Sequence, residues 1–248
     1  MFPRTDGRDL GVIPYLMAGH PDRDRSLAAV RSLAALPIAA LELGIPFSDP
    51  LADGPVIQRA GQAALDAGMT MAGALELASA ARGAVPIVFM SYVNPILSYG
   101  PSRFASDAAA AGVAGVIVPD LPPEEADGIA GPLRERGLAT IFMVAPTSSE
   151  ERIGAICDAS SGFVYCVTLT GITGARADLP AGLGELLGRV RARTPLPVAA
   201  GFGISRPEHV RALRGVVDAV AVGSAVVNEV AEGRDPAGLV KELLTACR

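Results

Sequence analysis

Apolar runs and amphipathic stretches take turns along this chain. Continuous apolar runs at 11–17, 39–43, 85–90, 113–118, 139–144, 163–167, 197–201 and 217–222 predict eight strands. Near-continuous apolarity is what a parallel sheet covered on both faces requires. Between the runs, helical spacing predicts helices at 26–36, 56–67, after Thr70, around 104–111, 123–136, 149–159, 183–193 and around 207–213. Two more helical pieces close the chain. Pro123-Glu124-Glu125 and Ser149-Glu150-Glu151 are helix-start signals, since proline and acidic residues suit a helix N-terminus. Residues 1–10 are polar and read as a frayed segment or a short helix. The strand-then-helix unit recurs about every 30 residues, as βαβ repeats do. Eight regular units with no switch in pattern favour a closed parallel sheet, a (β/α)8 TIM barrel, over a doubly wound sheet. One such domain spans residues 1–248, with no linker or second domain.

One stretch breaks the apolar pattern. In LELGIPFSDPLADGPVIQ, residues 41–58, the second strand carries Glu42 between Leu41 and Leu43. Strand side chains alternate faces, so Glu42 points opposite to its two leucines. A carboxylate in so apolar a run needs a partner or a shifted pKa. Gly44 and Pro46 end the strand, and the following loop brings Ser48, Asp49 and Asp53 to the same strand end. One desolvated acid with two loop acids suits general acid/base chemistry. The same residues also allow a plain structural reading, with loop aspartates capping turns.

In a barrel of this kind the site lies at the C-terminal ends of the strands. That end gathers Glu42, Asp53, Tyr92, Asn94, Asp120 and Tyr165, with three glycine loops. The loops are Thr170-Gly171-Ile172-Thr173-Gly174, Gly201-Phe202-Gly203-Ile204-Ser205 and Gly223-Ser224-Ala225. Glycine lets backbone N–H groups approach a phosphate, and a helix N-terminus favours its charge. Glycines also simply end strands. Two such loops after consecutive late strands point to a phosphate, with backbone-dominated contacts because neither contains Lys or Arg.

Composition removes several chemistries. Net charge is −5 with the charges mixed, which gives no footprint for nucleic acid. No apolar run approaches the roughly 20 residues of a membrane span, and no secretory leader is expected. Cys157, Cys166 and Cys247 lack metal spacing, and a sparse odd set fits a reduced cytoplasm. The single lysine, Lys241, lies in the last helix, which argues against a Schiff-base aldolase or a pyridoxal phosphate enzyme. His20 and His209 stand far apart, against a catalytic metal site. His20 reads as a loop residue and His209 as part of a helix with polar neighbours. Metal-free acid/base chemistry on a phosphorylated substrate remains.

LELGIPFSDPLADGP resembles the signature of the tryptophan synthase alpha subunit, and the likeness recurs over nearly the whole chain. The resemblance implies a lyase that cleaves indole-3-glycerol phosphate to indole and glyceraldehyde 3-phosphate without metal or Schiff base. It implies Glu42 as the acid/base at the ring C3 and the glycerol hydroxyl, and Asp53 as the group facing the indole N–H. Asp49 goes to the partner-facing side of the loop. Tyr165 lines the site, and Gly174, Phe202, Gly203, Gly223 and Ser224 hold the phosphate. Tyr15, Met90, Ile117 and Phe142 are candidates for the indole pocket, and equally for ordinary barrel core. The loop 168–179 reads as a lid whose Thr173 contacts Asp53 on closing.

The same resemblance implies a partner, a beta subunit carrying pyridoxal phosphate in an α2β2 heterotetramer, and no cofactor in this chain. The docking rim comprises loop 46–55, Asn94 and residues 119–122. A free-standing lyase that releases indole, and a barrel kept only as a binding subunit, stay open as alternatives. Retention of Glu42 and Asp53 speaks against the last. The segment before the first strand is short for the family, so apolar surface is expected at the barrel floor.

Overall fold

A computed structural model describes the chain apart from residues 3, 6–8, 168–181, 202 and 248. Nine parallel strand segments form one sheet: β1 (Gly11–Met17), β2 (Leu41–Gly44), β3 (Ile87–Met90), β4 (Val113–Ile117), β5 (Ala139–Ile141), β6 (Met143–Val144), β7 (Val164–Val167), β8 (Val198–Gly201) and β9 (Ala219–Val222). Their order is β5-β4-β3-β2-β1-β9-β8-β7-β6. The predicted fifth strand is present in two halves, split at Phe142. Its first half pairs with β4 and its second with β7, so the sheet curls into a nearly closed barrel. The seam is bridged where the Tyr165 N–H donates to the Phe142 carbonyl at 3.2 Å.

Helices surround this barrel: α1 (Arg23–Ala34), α2 (Pro55–Asp66), α3 (Met71–Ser79), α4 (Val93–Tyr99), α5 (Pro101–Ala111), α6 (Asp127–Glu135), α7 (Glu150–Ala159), α8 (Leu183–Arg193), α9 (Pro207–Arg211), α10 (Ser224–Ala231) and α11 (Ala237–Thr245). Asp22, Thr70 and Ser149 cap α1, α3 and α7 by accepting a backbone N–H in the first turn. Two elements depart from the sequence expectation. The stretch after β3, where the sequence predicts no element before the helix around 104–111, is helical from Val93, and the Asp120 carboxylate, 27 residues further on, accepts the Val93 N–H at 3.0 Å. The predicted helix at 123–136 opens as a separate 3-10 turn, Pro123–Glu125.

Strand alternation sorts the core into two layers. Ile13, Val88, Ile117, Ile141, Phe163, Tyr165, Ala199 and Ala219 fill the barrel interior. Leu41, Leu43, Phe89, Val116, Val164 and Val220 face outward into the larger cluster shared with the helices. Each buried aliphatic side chain of this kind contributes roughly 1.5–3 kcal/mol by leaving water.

At the floor of the barrel the opening segment covers part of the interior, with Met1 left 41% exposed. The described residues of the opening segment are not helical. Phe2 packs on the Phe163 ring at 5.2 Å between centroids and joins the interior cluster. Thr5 and Arg4 tie the segment down, donating to the Asp218 carboxylate at 2.9 Å and the Thr194 carbonyl at 2.8 Å.

Candidate active site

The Glu42 side chain enters the barrel because its register partners, Tyr15 on β1 and Val88 on β3, sit on the inward face. Glu42 is 2% exposed, and its carboxyl group meets no hydrogen-bond donor among the described residues. Burial, with a further push from Asp53, raises its pKa to about 8. At neutral pH it is an acid holding its proton.

Asp53 lies on the loop between β2 and α2, which turns back over the mouth. That loop is held by the Asp53 N–H on the Pro50 carbonyl at 3.1 Å and by the Gln58 amide on the Asp53 carbonyl at 2.9 Å. Partial burial raises the Asp53 pKa to about 6, against a lowering hydrogen bond from the Tyr92 hydroxyl. The two carboxyls therefore take opposite protonation states near pH 7, the arrangement that assigns one as acid and the other as anion. Asp49 is exposed on the outer side of the loop, where the Ser48 hydroxyl donates to it. The geometry separates the two loop acids, leaving Asp53 as the one that faces Glu42.

Two buried tyrosines flank the acids. Tyr15 leans over Gly44 on the neighbouring strand, and a Cβ at that glycine would collide with its hydroxyl. Tyr165, on β7, leans over Gly201 of β8, where a Cβ would stand 2.5 Å from its hydroxyl. Both phenols are held well above their ordinary pKa, first by burial and then by nearby carboxyls, Asp53 and Glu42 for Tyr15 and Glu42 for Tyr165. Tyr92 is the residue to which sequence reasoning gives no role. Its hydroxyl bonds Asp53 and accepts the Ala52 N–H at 3.0 Å, and its ring packs on Phe47 at 5.3 Å. The signal for it is its place directly after an apolar strand.

The remaining candidates divide. Ile117 is barrel core, and Met90 lies between the interior cluster and the Tyr15 cluster. Phe142 takes the core reading, on the outward layer, where it also lines a cleft of about 220 Å³ with Pro119, Pro122 and Arg152. Gly203 follows β8 with a φ of 73°, a backbone conformation that glycine adopts without strain. Gly223 and Ser224 stand at the start of α10, one strand along, where no side chain caps the first turn. Uncapped N–H groups at a helix start are the kind that receive a phosphate. Thr173, Gly174, Phe202 and the expected lid lie outside the described residues.

His20 and His209 stay apart from the acids. His209 is buried in its helix, and its Nδ1 accepts the Ser205 N–H at 3.3 Å. Among the described residues no group of three or more His, Cys, Asp or Glu could hold a metal ion. No described helix is long and apolar enough to cross a membrane. At the rim, Leu51 is 91% exposed and Leu97 is 53% exposed, beside an exposed Asn94.

Comparison with known proteins bears on this geometry directly. The family model described as tryptophan synthase alpha chain matches residues 5–248. A tryptophan synthase alpha chain from Gluconacetobacter diazotrophicus is 47% identical over 241 residues, covering 96% of this chain and 88% of that one. Among solved structures, tryptophan synthase from Mycobacterium tuberculosis superposes with a TM-score of 0.91 at 39% identity, covering 98% of this chain and 94% of that one. A chain from the Pyrococcus furiosus tryptophan synthase α2β2 complex, described for its mutual activation, gives 0.90 at 40% identity, with 99% and 100% covered. A buried acid and a loop acid at the mouth of a (β/α)8 barrel, within a chain matched along almost its whole length, place this protein in the tryptophan synthase alpha chain family.

Proposed function

We propose that this chain is a lyase that cleaves indole-3-glycerol phosphate to indole and glyceraldehyde 3-phosphate by general acid/base catalysis. The observation that carries the reading is the Glu42 carboxyl, without a donor among the described residues and raised to about 8, beside Asp53 at about 6. Glu42 in its acid form protonates the indole ring at C3. Asp53, as the anion, faces the ring N–H and stabilises the positive charge that forms on nitrogen. The Glu42 carboxylate then takes the proton of the glycerol hydroxyl next to the ring. The carbon–carbon bond breaks, its electrons return to the ring, and the hydroxyl carbon becomes the aldehyde. Glu42 ends with its proton restored, so nothing is consumed.

Backbone N–H groups at Gly203, Gly223 and Ser224 hold the phosphate, and the family resemblance adds Gly174 and Phe202. Tyr165 and Tyr15 wall the ring. The family relation supports a beta-subunit partner that carries the pyridoxal phosphate, seated on the rim around Leu51, Asn94 and Leu97, as does the α2β2 assembly of the Pyrococcus relative. Three unpaired, buried cysteines suit the reducing cytoplasm.

Indole release from indole-3-glycerol phosphate by the purified chain, with and without a cognate beta subunit, tests the reading. Wild type is expected to turn over slowly alone and faster with the partner. Glu42→Gln and Asp53→Asn are each expected to lose activity by about 100-fold or more, the scale of a lost acid or base. Fast turnover alone would favour a free-standing lyase. Activity that survives both substitutions would overturn the mechanism.

A further inference from the structure

The Tyr15 hydroxyl is a donor without a matching acceptor. It lies wholly inside the protein, and the acceptor it meets is the Met17 thioether at 3.9 Å, a weak one. A buried hydroxyl is ordinarily paired with a good acceptor, and one that is not calls for an explanation. Its register partner across the β1–β2 pair is Glu42, whose carboxyl meets no donor among the described residues. Gly44 lacks the Cβ that would exclude the phenol, so the hydroxyl occupies the layer just above Glu42, toward the mouth. An unspent donor and an unspent acceptor thus share one wall of the barrel.

We propose that Tyr15 is a positioning residue that donates its hydroxyl hydrogen to the Glu42 carboxylate formed once Glu42 has given up its proton. This rests on the reading of Glu42 as the acid. In the resting enzyme Glu42 is protonated, so there is no anion to bind and the hydroxyl stays on the thioether. The anion exists only as the reaction proceeds, so the hydrogen bond strengthens toward the transition state and raises kcat more than it tightens substrate binding. The other titratable groups around Glu42 do not fill this role. Asp53 from the loop after β2 is an acceptor, the Tyr92 hydroxyl at the head of α4 is engaged by Asp53 and Ala52, and the Tyr165 hydroxyl stands over Gly201 across the barrel.

Tyr15→Phe is the test, because it keeps the ring over Gly44 and removes one oxygen atom. Thermal unfolding should leave its Tm close to wild type. In indole-3-glycerol phosphate cleavage, kcat should fall about ten-fold, the scale of one hydrogen bond to a charged group, with KM little changed. The alkaline limb of the pH–kcat profile should move up by about one unit, since losing a donor to the anion makes Glu42 harder to ionise. The Glu42 carboxyl is also followed by carbon-13 NMR in labelled protein, wild type against Tyr15→Phe, with Glu42→Gln to assign the signal. A midpoint that rises in Tyr15→Phe supports the proposal even if wild type proves inactive on this substrate, which would count against the reaction alone. An unmoved midpoint, or an unmoved alkaline limb with full kcat, overturns it.

Discussion

Two carboxyl groups lie buried at opposite ends of this barrel, and they have opposite fates. Asp218, just before β9 at the floor, is fully buried and surrounded by donors. It accepts from the Val198 N–H at 2.8 Å, the Thr5 N–H at 2.9 Å and the Arg191 guanidinium at 3.1 Å. Glu42, near the mouth, is buried almost as deeply and accepts from no described group. Burial alone therefore does not make a catalytic acid. Donors hold the Asp218 carboxyl in place, where it stitches the opening segment, α8 and β8 together. Their absence leaves Glu42 holding a proton it can pass on.

The comparison is broken most directly at the floor. Asp218→Ala strands the Val198 and Thr5 N–H groups and removes a buried ion pair, so it should cost about 3–5 kcal/mol in urea unfolding. Cleavage activity of the folded fraction should stay near wild type. A stable Asp218→Ala protein, or one folded but inactive, would show that the two ends are not separate in role.

A smaller effect comes from pH. The Glu42 pKa is about 8 in the folded protein against an ordinary 4.5, so between those values the folded state binds a proton that the unfolded state does not. Stability contributed by this group is complete below about 4.5 and is lost as pH rises through about 8. Glu42→Gln cannot ionise and should unfold with a flatter dependence, standing above wild type by on the order of a few kcal/mol past pH 8. Denaturant curves at about pH 5, 7 and 9 span that window and measure the difference. Parallel curves for the two proteins would mean that Glu42 finds a donor in solution.

The smallest effect is at Phe2. Phe2→Ala removes a half-buried ring from Phe163 and should lower stability by about 1–2 kcal/mol, below the 3–5 of a fully buried phenylalanine. Calorimetry reads it as a modest fall in Tm. No change would leave the floor closed by the Asp218 contacts alone.

Much of this is legible in the sequence, for physical reasons. β1 and α8 begin and end where the apolar and amphipathic patterns do, Gly11–Met17 and Leu183–Arg193, because a fully covered strand and a one-sided helix leave strong periodic marks. Glu42 is legible because one charge in an apolar run has few explanations. What stays hidden depends on distant partners. Asp120 meets the first residue of α4 from 27 residues away, and the split at Phe142 reflects the barrel's seam. Phe142 keeps the strand alternation across that split, since Ile141 and Met143 belong to the interior cluster and Phe142 to the outward one. Tyr92 gains its role from a loop folded back over it, which no local spacing announces.

The tyrosines laid over glycines also constrain how this sequence can drift. Position 44 stays glycine only for as long as position 15 keeps a ring that needs its space. The same holds for position 201 and the ring at 165. A larger residue at either glycine would collide with the phenol, and a smaller residue at the tyrosine would make room again. Packing lost through a change at either glycine should thus be recoverable by a second change on the neighbouring strand, without the hydroxyl that the first tyrosine supplied. In a large set of relatives the two members of each pair should vary together, or not at all.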